Sequence, residues 1–127
     1  MNLWAVVAGV LSLVAFGVHA VVGGREFRLF EPAPRPTRTA WVQALAGWHW
    51  VSVTLLAAAV LFLLIGVSEV VPAEAAVLRA LGGYFALCGA AWGVTVALVG
   101  GGIPRRFLVL GQWLFCFLIA ALAFLAA

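Results

Sequence analysis

Four long apolar stretches constrain this chain more than any motif does. They cover residues 2–22, 41–67, 75–99 and 106–126, with at most one arginine in each. A hydrocarbon layer about 30 Å thick needs roughly 20 residues of α-helix to cross it, so each stretch is long enough. Charged residues make up 9% of the 127 residues, whereas a soluble domain has about 25%. The chain is therefore expected to be solvated by lipid.

The pattern of these stretches predicts an all-α integral membrane protein. The apolar runs are continuous rather than alternating, which excludes a β-barrel. Residues 68–74 and 100–105 are too short for anything except tight turns. We therefore expect one transmembrane domain over residues 1–127, an antiparallel up-down-up-down four-helix bundle. Residues 2–22 are expected to be a span rather than a signal peptide, because no basic segment precedes this long run.

The arginines predict the orientation in the membrane. Six of them, Arg25, Arg28, Arg35, Arg38, Arg105 and Arg106, fall in or beside the first and third loops, and only Arg79 lies near the second. Basic loops stay in the cytoplasm. We therefore expect loops 23–40 and 100–105 to be cytoplasmic, both termini to face outward, and the protein to lie in a bacterial inner membrane. The basic residues are expected to contact membrane lipid, not nucleic acid.

Polar side chains inside the spans are the candidates for function, because an intramembrane polar group is costly unless it has a partner. They are concentrated in the half of the bundle nearest the basic loops. If the first helix runs through Gly23 and Gly24, one predicted helical stripe carries Ser12, Phe16, His19, Gly23 and Glu26. A second predicted stripe carries Leu45, His49, Ser52 and Leu56. The predicted ligand-binding residues are His19, Arg25, Glu26, Trp48, His49, Trp92 and Gln112.

Several chemistries fit this set. His19, His49 and Glu26 are a possible metal site, and two imidazoles on facing helices can hold a haem. Histidine, aromatic rings and arginine can also bind a small amphipathic molecule, and a histidine pair can relay protons. The structural alternative is that each histidine bonds to a neighbouring helix while the tryptophans lie at the membrane interface.

A resemblance rests on His19, on the run Gly23-Gly24-Arg25-Glu26, and on Trp48-His49 after a loop that contains proline and arginine. In these residues the chain resembles a group of small four-span proteins of the bacterial inner membrane. The resemblance covers the first two spans. It implies four helices and a shared site at His19, Arg25, Glu26 and His49, and it implies no activity.

Two other roles are compatible with the sequence. Small residues at Gly82, Ala86, Gly89 and Gly93 favour close helix packing, which would suit an accessory or structural subunit of a larger membrane complex. An enzyme acting on a lipid or a quinone would need the two histidines as acid and base. No catalytic triad, P-loop or HExxH motif is present, so the sequence favours a protein that is not an enzyme. The cysteines, Cys88 and Cys116, have no metal-type spacing and are expected to be small buried hydrophobic residues.

Overall fold

The structure is a computed structural model that describes residues 1–29, 32, 35–99 and 111–127, without the side chains of residues 35, 36 and 99. Every regular element in these residues is helical. In chain order they are α1 (Leu3–Gly17), a π-helical turn (Val18–Gly23), α2 (Gly24–Arg28), α3 (Arg35–Val67), α4 (Glu74–Val99) and α5 (Gln112–Ala126). The predicted all-α class is confirmed for this part of the chain.

Among the residues that the structure describes, three helical segments are long and apolar enough to cross a membrane. They run over Leu3–Arg28, Thr37–Val67 and Glu74–Leu98. The last helix, α5, has 15 residues and is therefore about 22 Å long. This length is shorter than the hydrocarbon layer. The predicted third loop and the start of the predicted fourth span, including Arg105 and Arg106, lie outside the described residues.

The first predicted loop, residues 23–40, is wrong in extent because much of it is helical. The π-helical turn carries the helix of α1 through Gly23 and into α2. The helix α3 begins at Arg35, six residues before the predicted span. Pro36 does not prevent this early start, because the N–H that proline lacks has no helical partner in a first turn. Of the proline-rich residues 31–34, only Pro32 is described.

The helices pack in the order α3, α1, α5, α4. Helix α1 packs along α3 and α5, and α4 packs along α5, whereas α3 and α4 make few contacts with each other. The core that results is rich in alanine on α1 and α5, with larger side chains from α3 and α4. Its fully buried members include Ala5, Ala8, Phe62, Leu78 and Ile119.

Glycines allow α1 and α3 to approach closely. Gly9 of α1 lies against Leu63 of α3, and Gly66 of α3 lies against Val6 of α1. Residue numbers rise along one helix as they fall along the other, so the two helices run in opposite directions. A Cβ atom on Gly66 would lie 2.5 Å from Cγ2 and 2.9 Å from the backbone nitrogen of Val6. Any side chain at residue 66 must therefore push the helices apart.

The small residues of α4 are used mainly within the chain. A Cβ atom on Gly82 would lie 3.0 Å from the ring of Phe124, and one on Gly89 would lie 3.1 Å from the ring of Phe117. Both phenylalanines belong to α5. Two of the four positions predicted to meet a partner subunit therefore hold the chain's own last helix, whereas Gly93 has nothing within 4 Å of its Cβ position.

Candidate functional site

The helix that begins with α1 widens into the π-helical turn at Val18–Gly23. The backbone N–H of Gly24 donates to the carbonyl oxygen of His19, five residues earlier, instead of the four of an α-helix. Trp48 of α3 packs against this turn where Gly23 has no side chain. A Cβ atom on Gly23 would lie 2.5 Å from Cζ2 of Trp48. Turns of this kind are frequent at functional sites.

His19 of the π-helical turn and Trp48 of α3 form a stacked pair. Their ring centroids are 4.0 Å apart and their planes differ by 11°. The Nε2 atom of His19 lies 3.1 Å from the backbone oxygen of Trp48. Both contacts join the same two residues, so the imidazole is fixed in position and in orientation.

The hydrogen bond of His19 assigns its tautomer. A carbonyl oxygen can only accept, so the proton is assigned to Nε2, which donates to the oxygen of Trp48. In the neutral imidazole, Nδ1 then has a lone pair and is an acceptor. The hydroxyl of Ser52 also donates to the Trp48 oxygen, over a longer distance of 3.4 Å.

The indole N–H of Trp48 is a buried donor with no hydrogen-bond partner among the described residues. Its nitrogen lies 3.9 Å from the position that a Cβ atom would occupy on Gly24, so it lies close to the backbone of the turn. An unsatisfied buried donor typically costs about 1–3 kcal/mol of stability. Such a group in a native structure calls for an explanation, such as a water, an ion or a ligand.

The rings of Phe27 and Trp41 extend the stacked pair of His19 and Trp48. Phe27 of α2 lies 5.4 Å from the ring of Trp48 and 5.9 Å from the ring of Trp41. The indole Nε1 of Trp41 donates to the backbone oxygen of Phe27 at 3.5 Å, a long and therefore weak bond. We call His19, Phe27, Trp41 and Trp48 the aromatic cluster.

The predicted stripe of the first helix is wrong by one residue at its last position, because Gly23 meets Trp48 as the stripe requires and Glu26 does not follow it. The spacing places Glu26 on the face of His19 if the helix is regular, but Glu26 is exposed and Phe27 contacts the cluster. The π-helical turn explains the difference, because a wider turn accommodates one additional residue and shifts everything after it by about 100°. Glu26 is thereby directed away from His19.

The predicted stripe of α3 is right at Leu45 and Ser52, and it is wrong by one residue at His49 and at Leu56. The side chain that meets His19 is Trp48, and His49, about 100° further around the helix, is exposed. The same shift replaces Leu56, which is exposed, by Leu55, which is buried. The inward residues of α3 recur in steps of three and four: Trp41, Leu45, Trp48, Ser52, Leu55, Ala59 and Phe62.

The structure brings together only His19 and Trp48 of the seven predicted site residues. Arg25, Glu26 and His49 are exposed, and so are Trp92 on α4 and Gln112 on α5. Within residues 1–29, 35–99 and 111–127, no three His, Cys, Asp or Glu side chains come close enough to hold a metal ion. The predicted metal set His19, His49 and Glu26 is therefore not assembled. The predicted haem pair is not assembled either, because Trp48 occupies the position opposite His19.

Sequence reasoning missed Phe27 and Trp41. A signal for Trp41 exists, since it precedes Trp48 by seven residues, which is two helical turns on one face. In a regular helix, the eight-residue spacing from His19 to Phe27 fits one face less closely than the seven-residue spacing from His19 to Glu26. The π-helical turn reverses this preference, and the sequence alone does not reveal that turn.

A scan against protein-family models, a search of curated proteins and a search of solved structures found no match to this chain.

Proposed function

We propose that this chain is a four-span protein of the bacterial inner membrane, with residues 23–40 and 100–105 on the cytoplasmic side and both termini outside. Three helices of spanning length support the membrane location. The concentration of six arginines in or beside two loops, against one near the other, supports the orientation. The antiparallel contacts of α1 with α3 fit alternating spans. The aromatic cluster would then lie in the cytoplasmic half of the membrane.

We further propose that the aromatic cluster binds a small neutral amphipathic molecule through an oxygen atom of its polar head. The observation that carries this proposal is the buried, unpartnered N–H of Trp48. A carbonyl, hydroxyl or ether oxygen would accept from this donor and remove the cost of leaving it unsatisfied. In the membrane interior no bulk water competes for the donor, so one hydrogen bond has more influence there than in solution.

Two features near Trp48 suit such a ligand. His19 has an acceptor nitrogen at Nδ1, which can receive a hydroxyl hydrogen. The π-helical turn at Val18–Gly23 carries glycine where the indole meets it, and glycine is the residue that best tolerates backbone adjustment. A ligand oxygen would enter where the indole nitrogen faces the backbone of Gly24, and its hydrocarbon part would lie among the apolar helices.

The test uses the indole resonances of the protein in mild detergent, with decylubiquinone as the probe because it combines carbonyl oxygens with a hydrocarbon tail. The ¹⁵N–¹H signal of Trp48, assigned by its loss in Trp48→Phe, is expected to shift saturably. The signal of Trp50, which is 77% exposed, is the internal control and is expected to stay in place.

Matched variants sharpen this test. His19→Ala is expected to weaken binding about fivefold, the effect of one hydrogen bond of about 1 kcal/mol, whereas His49→Ala is expected to leave it unchanged because that side chain is exposed. If the signals of Trp48 and Trp50 move together without saturation, the probe partitions into detergent and the proposal fails. Native mass spectrometry of gently extracted protein would identify a ligand that is already bound.

A second candidate role is that of an accessory subunit, and one observation favours it. No atom of the described residues lies within 4 Å of the Cβ positions of Gly83 and Gly93 on α4, so a neighbouring membrane helix could approach α4 closely there. This role is tested by replacing Leu87, which is 72% exposed, with a photo-crosslinking residue in cysteine-free protein. Reproducible crosslinks to one membrane protein would support it, and crosslinks to lipid alone would count against it.

A further inference from the structure

The two cysteines of the chain come together where α4 packs on α5. Gly89 and Phe117 lie at the contact between these helices, because a Cβ atom on Gly89 would lie 3.1 Å from the ring of Phe117. Cys88 and Cys116 immediately precede these two residues. Both cysteines are free thiols, and they are near enough to interact electrostatically. The helix pair therefore holds two thiols at one level.

A tyrosine hydroxyl adjoins the two thiols. Tyr84 precedes Cys88 by four residues, which places both side chains on one side of α4. These two side chains are hydrogen-bonded to each other, and the hydroxyl of Tyr84 is also hydrogen-bonded to Thr54 of α3. The hydroxyl interacts electrostatically with Cys116 as well. We call Tyr84, Cys88 and Cys116 the thiol cluster.

The surroundings of the thiol cluster favour a soft metal ion over a hard one. Cys88 is near the middle of Glu74–Leu98, a segment long and apolar enough to cross a membrane. Hard cations need several oxygen ligands, whereas soft Cu(I) prefers thiolates and forms linear complexes with two of them. Such an ion does not require three clustered His, Cys, Asp or Glu side chains, which the described residues do not provide. Both cysteines are half-buried, so an ion can reach them from the surface of the bundle.

We propose that Cys88 and Cys116 bind one Cu(I) ion between α4 and α5, with Tyr84 as a positioning residue. Each thiol loses its proton as its sulfur binds the ion, so two protons are released and the complex has one negative charge. A charge in an apolar environment is costly unless it is hydrogen-bonded. The hydroxyl of Tyr84 donates to the sulfur of Cys88 and reduces this cost. The site uses none of the four rings of the aromatic cluster, so it is independent of the ligand proposed there.

The experiment titrates the full chain in mild detergent with Cu(I) under anaerobic conditions, with bicinchoninate as the competing ligand. Wild-type protein is expected to bind one ion per chain. Cys88→Ala and Cys116→Ala are each expected to lose this binding, because either change removes one of the two sulfur ligands. His49→Ala is the matched control and is expected to bind as wild type does, because His49 is an exposed imidazole outside the thiol cluster.

Tyr84→Phe tests the positioning role. It retains the ring, which packs edge-on against Phe85 with the ring centroids 5.4 Å apart, and it removes the hydroxyl. Residues that hydrogen-bond to metal ligands typically contribute 10–100-fold to affinity, so we expect binding to weaken about tenfold. X-ray absorption at the copper edge is expected to show two sulfur neighbours in wild type and in Tyr84→Phe, since both retain the two thiolates.

Several outcomes would overturn the proposal. Retention of the ion by either cysteine variant would do so, as would two ions per chain in wild-type protein, which would indicate thiols that act separately. Nitrogen neighbours in the X-ray absorption spectrum would assign the copper to histidine instead. A dimer with one ion in native mass spectrometry would show that the two sulfur ligands come from different chains. Far-UV circular dichroism verifies the helices of each variant; if an alanine variant fails to fold, the corresponding serine variant gives the same comparison.

Discussion

The two ends of the α1–α3 pair differ in how their polar groups are hydrogen-bonded. At the first end, which we call the Asn2 end, one residue joins three helices through its backbone and its side chain. The backbone N–H of Asn2 donates to Gly66, its Nδ2 donates to Ala126 at 2.7 Å, and its Oδ1 accepts from the N–H of Ala5. At the other end, α1 widens into a π-helical turn, aromatic rings replace small residues, and the indole N–H of Trp48 has no partner among the described residues.

The hydrogen bonds at the Asn2 end hold helices together, whereas the indole N–H of Trp48 at the aromatic end is a donor that a ligand could use. At the Asn2 end, the polar atoms of Asn2 and the hydroxyl of Ser68 have partners within the chain, and Gly66 brings the two backbones into contact. At the aromatic end, the described residues offer no acceptor to the indole N–H of Trp48, and a missing hydrogen bond is most costly in a low-dielectric environment. A molecule that accepts from this N–H would therefore stabilise the aromatic end.

The largest loss of stability is expected from Gly66→Ala at the Asn2 end. The added methyl group would meet Cγ2 and the backbone nitrogen of Val6 at 2.5 and 2.9 Å, and a backbone atom cannot rotate away. We expect the free energy of unfolding to fall by about 1–3 kcal/mol, measured by titration with a denaturing detergent. Gly17→Ala is the control, since nothing lies within 4 Å of that position. Equal losses in both variants would contradict the close approach of the helices.

Asn2→Ala is expected to have the next largest effect. It removes the bond to Ala126 and the capping bond from Ala5, and the loss of such a cap reduces stability by about 0.5–2 kcal/mol. The same detergent titration measures it. Asn2→Ser retains an acceptor for the N–H of Ala5 but no amide donor for Ala126, so its stability should fall between those of wild type and Asn2→Ala. A serine variant as weak as the alanine variant would show that capping contributes little.

The sequence predicts the helices well and their faces less well. Long apolar runs identify three spanning helices because length and apolarity suffice for that inference. The inward face is harder to identify, because a membrane helix is apolar all round; on α3, buried Leu55 and exposed Leu56 are the same residue type. Hence the spacing favours His49 as the inward residue of α3, whereas the structure places its neighbour Trp48 there. The π-helical turn, which replaces Glu26 by Phe27, has no sequence pattern apart from the two glycines.

Gly23→Ala tests the aromatic end with a smaller expected effect than Gly66→Ala. The atoms that a methyl group would meet belong to the far end of the Trp48 side chain, which can rotate. We expect a loss of about 1 kcal/mol, together with separation of the His19–Trp48 stack. Loss of the ring-current shift on the Trp48 indole signal would report that separation. Gly47→Ala on α3 is the control, because its Cβ position is open. An unchanged indole signal in Gly23→Ala would contradict the contact.

The smallest effect is expected from Trp48→Phe, and its comparison with Trp41→Phe is the most direct test of the unpartnered donor. Both variants exchange an indole for a smaller ring in the aromatic cluster. Trp41→Phe removes an N–H that donates to Phe27, whereas Trp48→Phe removes an N–H that has no described partner. Because deleting an unsatisfied donor relieves its desolvation penalty, we expect Trp48→Phe to be the less destabilising of the two by about 1 kcal/mol.

The sign of this difference decides between two descriptions of the aromatic end. If Trp48→Phe is as destabilising as Trp41→Phe in ligand-free protein, the indole N–H of Trp48 has an acceptor, such as an ordered water, and both ends of the pair are satisfied. If Trp48→Phe is the milder change, and adding decylubiquinone stabilises wild type but not the variant, then ligand binding to the native state increases stability by mass action. The unpartnered donor is then the group through which the ligand stabilises the fold.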